Sequence, residues 1–236
     1  MLLVDADPIA YRVAFSVEYS SEVFPKLKEL MDDMFLSVYP VGPYEAYLTG
    51  SGNFRDDIAT TVKYKGERSS DPPAMLPVAR HMLVEEYGAV VVDGIEADDI
   101  ISIRANELDF NCIVASIDKD FYQLPCKHYN YTSWINLEYT KHIHGDNKVN
   151  YFTQTEEGAK VFKYRQMLTG DRVDNIKGVY NIGPRKAEAM IQEGMSELEM
   201  WNVVVDAHGS YDRALEDARL LHLLTKEGEL WEPPKE

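Results

Sequence analysis

The chain has 236 residues, 45% hydrophobic and 27% charged, enough for one substantial core or a core with an appended helical unit, and too apolar for a mainly disordered chain. Its 24 Lys and Arg against 40 Asp and Glu leave a formal net charge of −16, which argues against broad attraction to a polyanion, so any such binding rests on how charge is distributed. No apolar run approaches the ~20 residues of a membrane span, and Asp5 interrupts "MLLVDADPIAYR" before a signal-peptide core forms, so the expectation is a soluble, cytoplasmic protein with no membrane partner.

In chain order, "LLVD" (2–5) reads as a short buried strand, followed by helical apolar spacing over 22–38. "YEAYLT" (44–49) is a second strand, and a second helical pattern covers 74–87. "AVVVD" (89–93) is a third strand, and "ADDIISIRANEL" (97–108) a helix on which Ile100, Ile103 and Leu108 share a face. "NCIVAS" (111–116) is a fourth strand. Cys112 and Cys126 lack metal-ligand spacing and read as buried thiols. This alternation predicts an α/β fold, a mostly parallel sheet flanked by helices. The aromatic, β-branched stretch 128–154 predicts a hairpin, with His142 and His144 as surface residues. From Thr155 the pattern is helical with Gly breaks at 170, 178, 183, 194 and 209, and "WEPPKE" reads as a loose tail. The expected division is therefore an α/β core over 1–154 and a helical subdomain over 155–236.

The acids fall at the ends of these strands. Asp5 ends the first, Glu96, Asp98 and Asp99 follow the third, and Asp118 and Asp120 follow the fourth. In open α/β sheets the carboxyl ends of the strands form the binding crevice. Asp171 and Asp174, three apart at a turn or helix start, can lean over the same edge. Any one of these acids alone reads as a cap or turn residue. Together they repel one another, and carboxylate oxygens are the donors that hard cations such as Mg²⁺ or Mn²⁺ prefer.

A further stretch points to the substrate. "GDRVDNIKGVYNIGPRKAEAMI" sets Gly178 and Gly183 around "VYNI" and starts a helix carrying Arg185 and Lys186, a helix-hairpin-helix pattern. Glycine lets backbone N–H groups approach a phosphate, and the two cations add charge at a helix N-terminus, so the element suits a nucleic-acid backbone and reads no bases. Either glycine alone is equally at home as a tight turn between packed helices.

With these motifs the chain resembles the 5′ nucleases, which include flap endonucleases, the 5′ nuclease domain of bacterial DNA polymerase I and short phage 5′-to-3′ exonucleases. "LLVDADPIAYR", "NFRDDIATTVKYKGER", "EADDII", "DKDFYQL" and "LTGDRVDNIKGVYNIGPRKA" are similar, in order, to that family's motifs. Among its members the spacing is most similar to the short phage exonucleases. The resemblance implies a PIN-like core, a short helical gateway at about 55–80, and a C-terminal helix-three-turn-helix. It implies one cation at Asp5, Glu96 and Asp98, a second at Asp118, Asp120, Asp171 and Asp174, and Asp99 within reach or behind the ligands. K⁺ at the helix-hairpin-helix is a further expectation. Tyr64 would stack on the terminal base, Lys65 and Arg68 would meet the scissile phosphate, and Arg55 would orient the gateway or touch DNA, alongside Gly178, Gly183, Arg185 and Lys186. The implied partner is DNA with a 5′ end, flap or overhang, including RNA-primed duplex. Where the family has an acid at the end of the second strand, this chain has Thr49 and Gly50, leaving water or Asp7 to compensate. A junction-binding protein with impaired catalysis and a PIN-like ribonuclease are the competing readings; the ribonuclease would not need the helix-hairpin-helix.

Overall fold

The computed structural model describes residues 1–38, 42–67, 71–132 and 151–235. Arg68, His142, His144 and most of the expected hairpin lie outside the described residues. The core is a six-stranded sheet in the order β3-β2-β1-β4-β5-β6. β1 (Leu2–Asp5) is central and parallel to both β2 (Tyr44–Thr49) and β4 (Ile113–Ala115). β3 (Val90–Val92) and β5 (Lys127–Tyr129) extend the parallel set, and β6 (Tyr151–Thr153) closes it antiparallel to β5.

Every side chain of β1 is buried, as a central strand covered on both faces requires. Leu2 and Val4 face α1 (Asp7–Ser16), α2 (Ser20–Ser37) and α4 (Leu76–Tyr87) through Ile9, Val13, Leu27, Met31 and Leu83. Leu3 faces the opposite layer, where α5 (Ala97–Glu107) contributes Ala97, Ile101 and Ala105. Cys112 and Cys126 are free and buried in this second layer. The short α3 (Phe54–Ile58), capped by Asn53, links the sheet to the helices that follow it.

α6 (Glu156–Thr169), α7 (Pro184–Met190), α8 (Glu197–His208) and α9 (Tyr211–Leu221) surround a further core of Tyr164, Met167, Trp201, Val204 and Ala218. The expected loose tail is instead packed. Trp231 is buried, its ring centroid 5.0 Å from that of Trp201, and its carbonyl accepts from Arg219 Nε at 3.1 Å. A tryptophan covers more apolar area than the flanking prolines and charges cost, so composition alone misplaces this segment. No helix among the described residues is long and apolar enough to cross a membrane.

Candidate metal centre and nucleic-acid interface

Because β1 to β5 run parallel, their carboxyl ends share one edge, and the acids predicted there do gather on it. Asp5 ends β1 and is buried; its Oδ2 accepts from the Ser116 hydroxyl at 2.7 Å, and that oxygen accepts from the Asp118 backbone N–H at 3.0 Å. Ser116 thus ties the ends of β1 and β4 together, a role the sequence reading missed. Asp118 also caps a short 3-10 helix over Lys119–Gln123, its Oδ1 accepting from Asp120 N at 2.9 Å. Capping and clustering are compatible, since one carboxylate oxygen is enough for the cap. Asp120 accepts from Gln166 Nε2 at 2.6 Å, and Lys119 bridges Asp120 and Asp171. Asp171 holds its own turn by accepting from Val173 N and Asp174 N.

A second group lies at the N-terminus of α5. Glu96 and Asp174 are joined twice: Lys65 Nζ pairs with both, and the Tyr64 hydroxyl lies 2.7 Å from Glu96 Oε2 and 2.9 Å from Asp174 Oδ2. The resemblance assigns Asp174 to the other cation, whereas here its side chain joins the Glu96 group. Lys65 is held with φ of 51°, its N–H donating to Asp174 O at 3.0 Å, a left-handed conformation that a non-glycine residue adopts only when its surroundings enforce it.

Three of the expected residues are held in the interior by this geometry. Arg55 is 2% exposed and grips Asp99 with both terminal nitrogens, while Nε and Nη2 also donate to Leu220 O and His222 O, each at 2.9 Å. It clamps the chain after α9 onto α5 and has no surface to offer DNA. Asp99, 0% exposed, gives its oxygens to Arg55, to Leu224 N and to the Glu96 backbone N–H, behind the Glu96 side chain. Tyr64 is buried in the core that α6, α7, α8 and α9 surround, with its hydroxyl engaged, so it braces the acids and its ring is not free to stack on a base. The two glycines also separate. Gly178 sits back to back with Gly170, where a Cβ would lie 2.4 Å from Gly170 N, so the position has room only for glycine. Gly183 has open space beside it, and Arg185 and Lys186 are exposed, with Lys186 Nζ donating to Asn181 O.

Charge within the cluster is not fully compensated. Burial, with Asp7 and Asp118 adding repulsion, pushes Asp5 up to about 8. Burial and then Asp118 push Asp120 up to about 7, and burial also raises Asp118. Asp98 is raised well above the usual range by burial and then by Asp99 and Glu96, and its Oδ1 is buried with no hydrogen-bond partner among the described residues. For Glu96 burial is the largest influence and raises it, but Lys65 and Arg55 together outweigh it and the net shift is downward. Asp171 is likewise lowered, Lys119 outweighing burial. Among the described residues no three acids form a ready cage. The side-chain ammonium groups of Lys65 and Lys119 lie between them instead. The orphaned Asp98 oxygen and the all-carboxylate donor set fit a hard divalent cation.

These shifts fix a pH dependence. A raised carboxyl contributes stability that is complete below its unfolded value of 3.8 and is lost as pH rises through the folded value, so Asp5 and Asp120 act up to about pH 7 to 8. Glu96 and Asp171 act in the opposite sense but are fully ionised by neutral pH. Buried His128 and His222, lowered to about 4 and about 3, lose their contribution only as pH falls below 6.5. From roughly pH 6.5 to 8 the melting temperature in EDTA is therefore expected to fall, and Mg²⁺ to remove the decline. Thermal melts at the two pH values check this, and a melting temperature that rises over the interval in EDTA contradicts it.

The strand end where the resemblance expects an acid is built differently. Thr49 Oγ1 accepts from Ala97 N at 2.9 Å, anchoring α5, and Thr49 N donates to Asp7 Oδ2 at 2.8 Å. Arg80 takes the other Asp7 oxygen and the Thr49 carbonyl, so both Asp7 oxygens are engaged at this strand end. Thr49→Asp keeps an acceptor at a helix N-terminus, where an acid is favoured, and is expected to lower the cation concentration for half-maximal cleavage several-fold. Gly50→Asp is expected to destabilise by about 1–3 kcal/mol, because its Cβ would lie 2.6 Å from Val92 O. Cation titrations of cleavage and thermal melts of both variants check the pair.

No family model matches the chain. By sequence it is 28% identical to a 5′-3′ exonuclease of Mycoplasma pneumoniae over 90% of this chain and 76% of that protein. It is 26% identical to DNA polymerase I of Bacillus subtilis over 96% of this chain and 27% of the polymerase. By fold it is similar to the bacteriophage T5 flap endonuclease, solved with DNA and metal ions, with a TM-score of 0.65 and 18% identity over 95% of this chain and 89% of that one. Along most of its length the chain is thus similar in sequence to 5′-3′ exonucleases and to the matching part of DNA polymerase I, and over nearly all of it similar in fold to a flap endonuclease.

Proposed function

We propose that the chain is a metal-dependent 5′ nuclease that hydrolyses phosphodiester bonds of DNA carrying a free 5′ end, overhang or flap. The observation that carries this reading is the cluster of buried, under-compensated carboxylates at one sheet edge, with the Asp98 oxygen unpartnered. Asp5, Glu96 and Asp98, with Asp118, Asp120, Asp171 and Asp174, would hold two Mg²⁺ or Mn²⁺ ions. Bound there, the ions supply an activated water and a Lewis acid at the scissile phosphate.

The chain's own residues then have distinct parts. Lys65, now paired with Glu96 and Asp174, is the cation that transfers to the phosphate as negative charge develops. Tyr64 keeps Glu96 and Asp174 in register through its hydroxyl. Arg68 remains a proposed phosphate contact. At the other end, Gly183 with exposed Arg185 and Lys186 offers backbone N–H groups and charge to the duplex phosphates. K⁺ in the 178–183 loop belongs to the same proposal. Together with the helical subdomain over 155–236, this loop favours a DNA substrate over the ribonuclease reading.

The test is a panel of end-labelled duplex, nicked duplex, 5′-flap and RNA-primed substrates with Mg²⁺ or Mn²⁺, analysed for product size. Products that begin at the 5′ end or at the flap junction support the reading. Intact DNA with retained junction binding would favour the catalytically impaired binding protein.

A further inference from the structure

A further buried hydroxyl stands at the carboxyl-end edge of the sheet, beyond the acids. Tyr131 lies just past β5, at the carboxyl end of that strand, with its ring against the first core cluster. Its setting is fixed on both sides. Asn130 Oδ1 accepts from Thr132 N and Thr132 Oγ1 at 2.9 and 2.7 Å, and the Tyr131 carbonyl accepts from Arg12 Nη1 at 3.3 Å. The hydroxyl itself is buried and has no hydrogen-bond partner among the described residues. After burial, the strongest influence on it is the charge of Asp5, with Asp118 and Asp7 adding to it and Arg12 opposing. Burial and these acids hold the phenol well above its ordinary range, so at neutral pH it is a donor.

A buried hydroxyl without an acceptor is a cost to the fold, and buried polar groups are otherwise almost always satisfied. Nearby Ser116 shows the alternative, since its hydroxyl both donates to Asp5 and accepts from Asp118 N. We propose that the Tyr131 hydroxyl is a positioning residue of the reaction, donating its hydrogen bond to an oxygen acceptor held on the Asp5–Asp118 side of the cluster: a cation-bound water or a substrate phosphate oxygen. The inference rests on the nuclease reading and deepens it. It gives the second strand pair from the centre of the sheet a part in orienting the reacting oxygen, and it accounts for a polar atom that the fold alone leaves unsatisfied.

Tyr131→Phe removes only the hydroxyl. If the group serves the site, the variant in EDTA melts at or above the wild-type temperature, because an orphaned polar atom has been removed. Single-turnover cleavage of a 5′-flap duplex at saturating Mg²⁺ slows about tenfold, or calorimetric Mn²⁺ affinity falls by a similar factor, the scale typical of groups that orient metal ligands. A slower reaction with unchanged Mn²⁺ affinity identifies the acceptor as the substrate phosphate; weakened Mn²⁺ binding identifies it as cation-bound water. A lower melting temperature overturns the proposal by showing a structural partner, as does a variant that matches wild type in rate and in Mn²⁺ affinity. Should wild type itself fail to cleave, the nuclease reading is what fails, and the Mn²⁺ affinity and melting temperature still decide the role of Tyr131.

Discussion

Asp98→Asn is expected to abolish cleavage and to raise the melting temperature of the metal-free protein. Asp98 sits in the first turn of α5 between Glu96 and Asp99, with its Oδ1 buried and without a partner among the described residues. Its ionised form is disfavoured by burial and by both neighbours, so it strains the fold whenever no cation is bound. Asparagine has the same shape without the charge, which relieves that strain but removes a hard-cation ligand. The loss in single-turnover rate is expected to be at least about a hundredfold, the scale of removing one group that stabilises charge in the transition state. DNA binding should survive or tighten, because one negative charge facing phosphate is gone. Rapid-quench kinetics, thermal melts in EDTA and binding isotherms separate the three quantities. A variant that cleaves as fast as wild type would make the acid structural.

Arg55→Ala is expected to unfold the protein far more readily and to say nothing specific about DNA. The guanidinium meets Asp99, Leu220 O and His222 O, all in the interior, and Asp99 also accepts from Leu224 N. Removing the cation leaves a fully buried carboxylate and two carbonyls without their donor. Losing one partner of a buried pair typically costs about 3–5 kcal/mol, which in a domain of this size lowers the melting temperature on the order of 10 °C. Arg55→Lys should recover only part of this, since an ammonium cannot make the same fork. Denaturant titration gives the stability, and DNA affinity is compared per folded molecule. If Arg55→Ala weakened DNA binding while leaving stability intact, the sequence-level assignment of Arg55 to the nucleic acid would be right and its buried clamp would be wrong.

The contrast between these residues shows what a sequence can disclose. β1 and β2 were legible to the residue, because short apolar runs bounded by Asp and Gly leave little choice of register. The edge on which Asp5, Glu96, Asp118 and Asp171 gather was legible too, since a parallel sheet puts all strand ends on one side. The inward face of α5 was not. Ile100 and Leu108, expected to share a face, do pack against that layer, but its fully buried positions are Ala97, Ile101 and Ala105, because small residues let the helix approach the sheet. Tyr64 as a stacking residue, and Arg55 as a DNA contact rather than an orienting one, go astray for a related reason. A motif indicates which residue types recur near a site, but burial and partners decide whether an arginine faces a phosphate or a carboxylate. Ser116 carried no signal at all, as a lone serine after a strand is ordinary. Trp231 did carry one: a tryptophan in a polar terminal stretch invites a search for the core it covers.

Cleavage of a 5′-labelled flap duplex by the wild-type protein in EDTA, followed by return of Mg²⁺ or Mn²⁺ in excess, is the decisive measurement. The carboxylate cluster predicts no cleavage under chelation and full recovery on return of either cation, because in this reading the activated water and the Lewis acid both depend on the cations the acids hold. Cleavage that persists in EDTA at an undiminished rate would contradict the assignment of these acids to divalent cations.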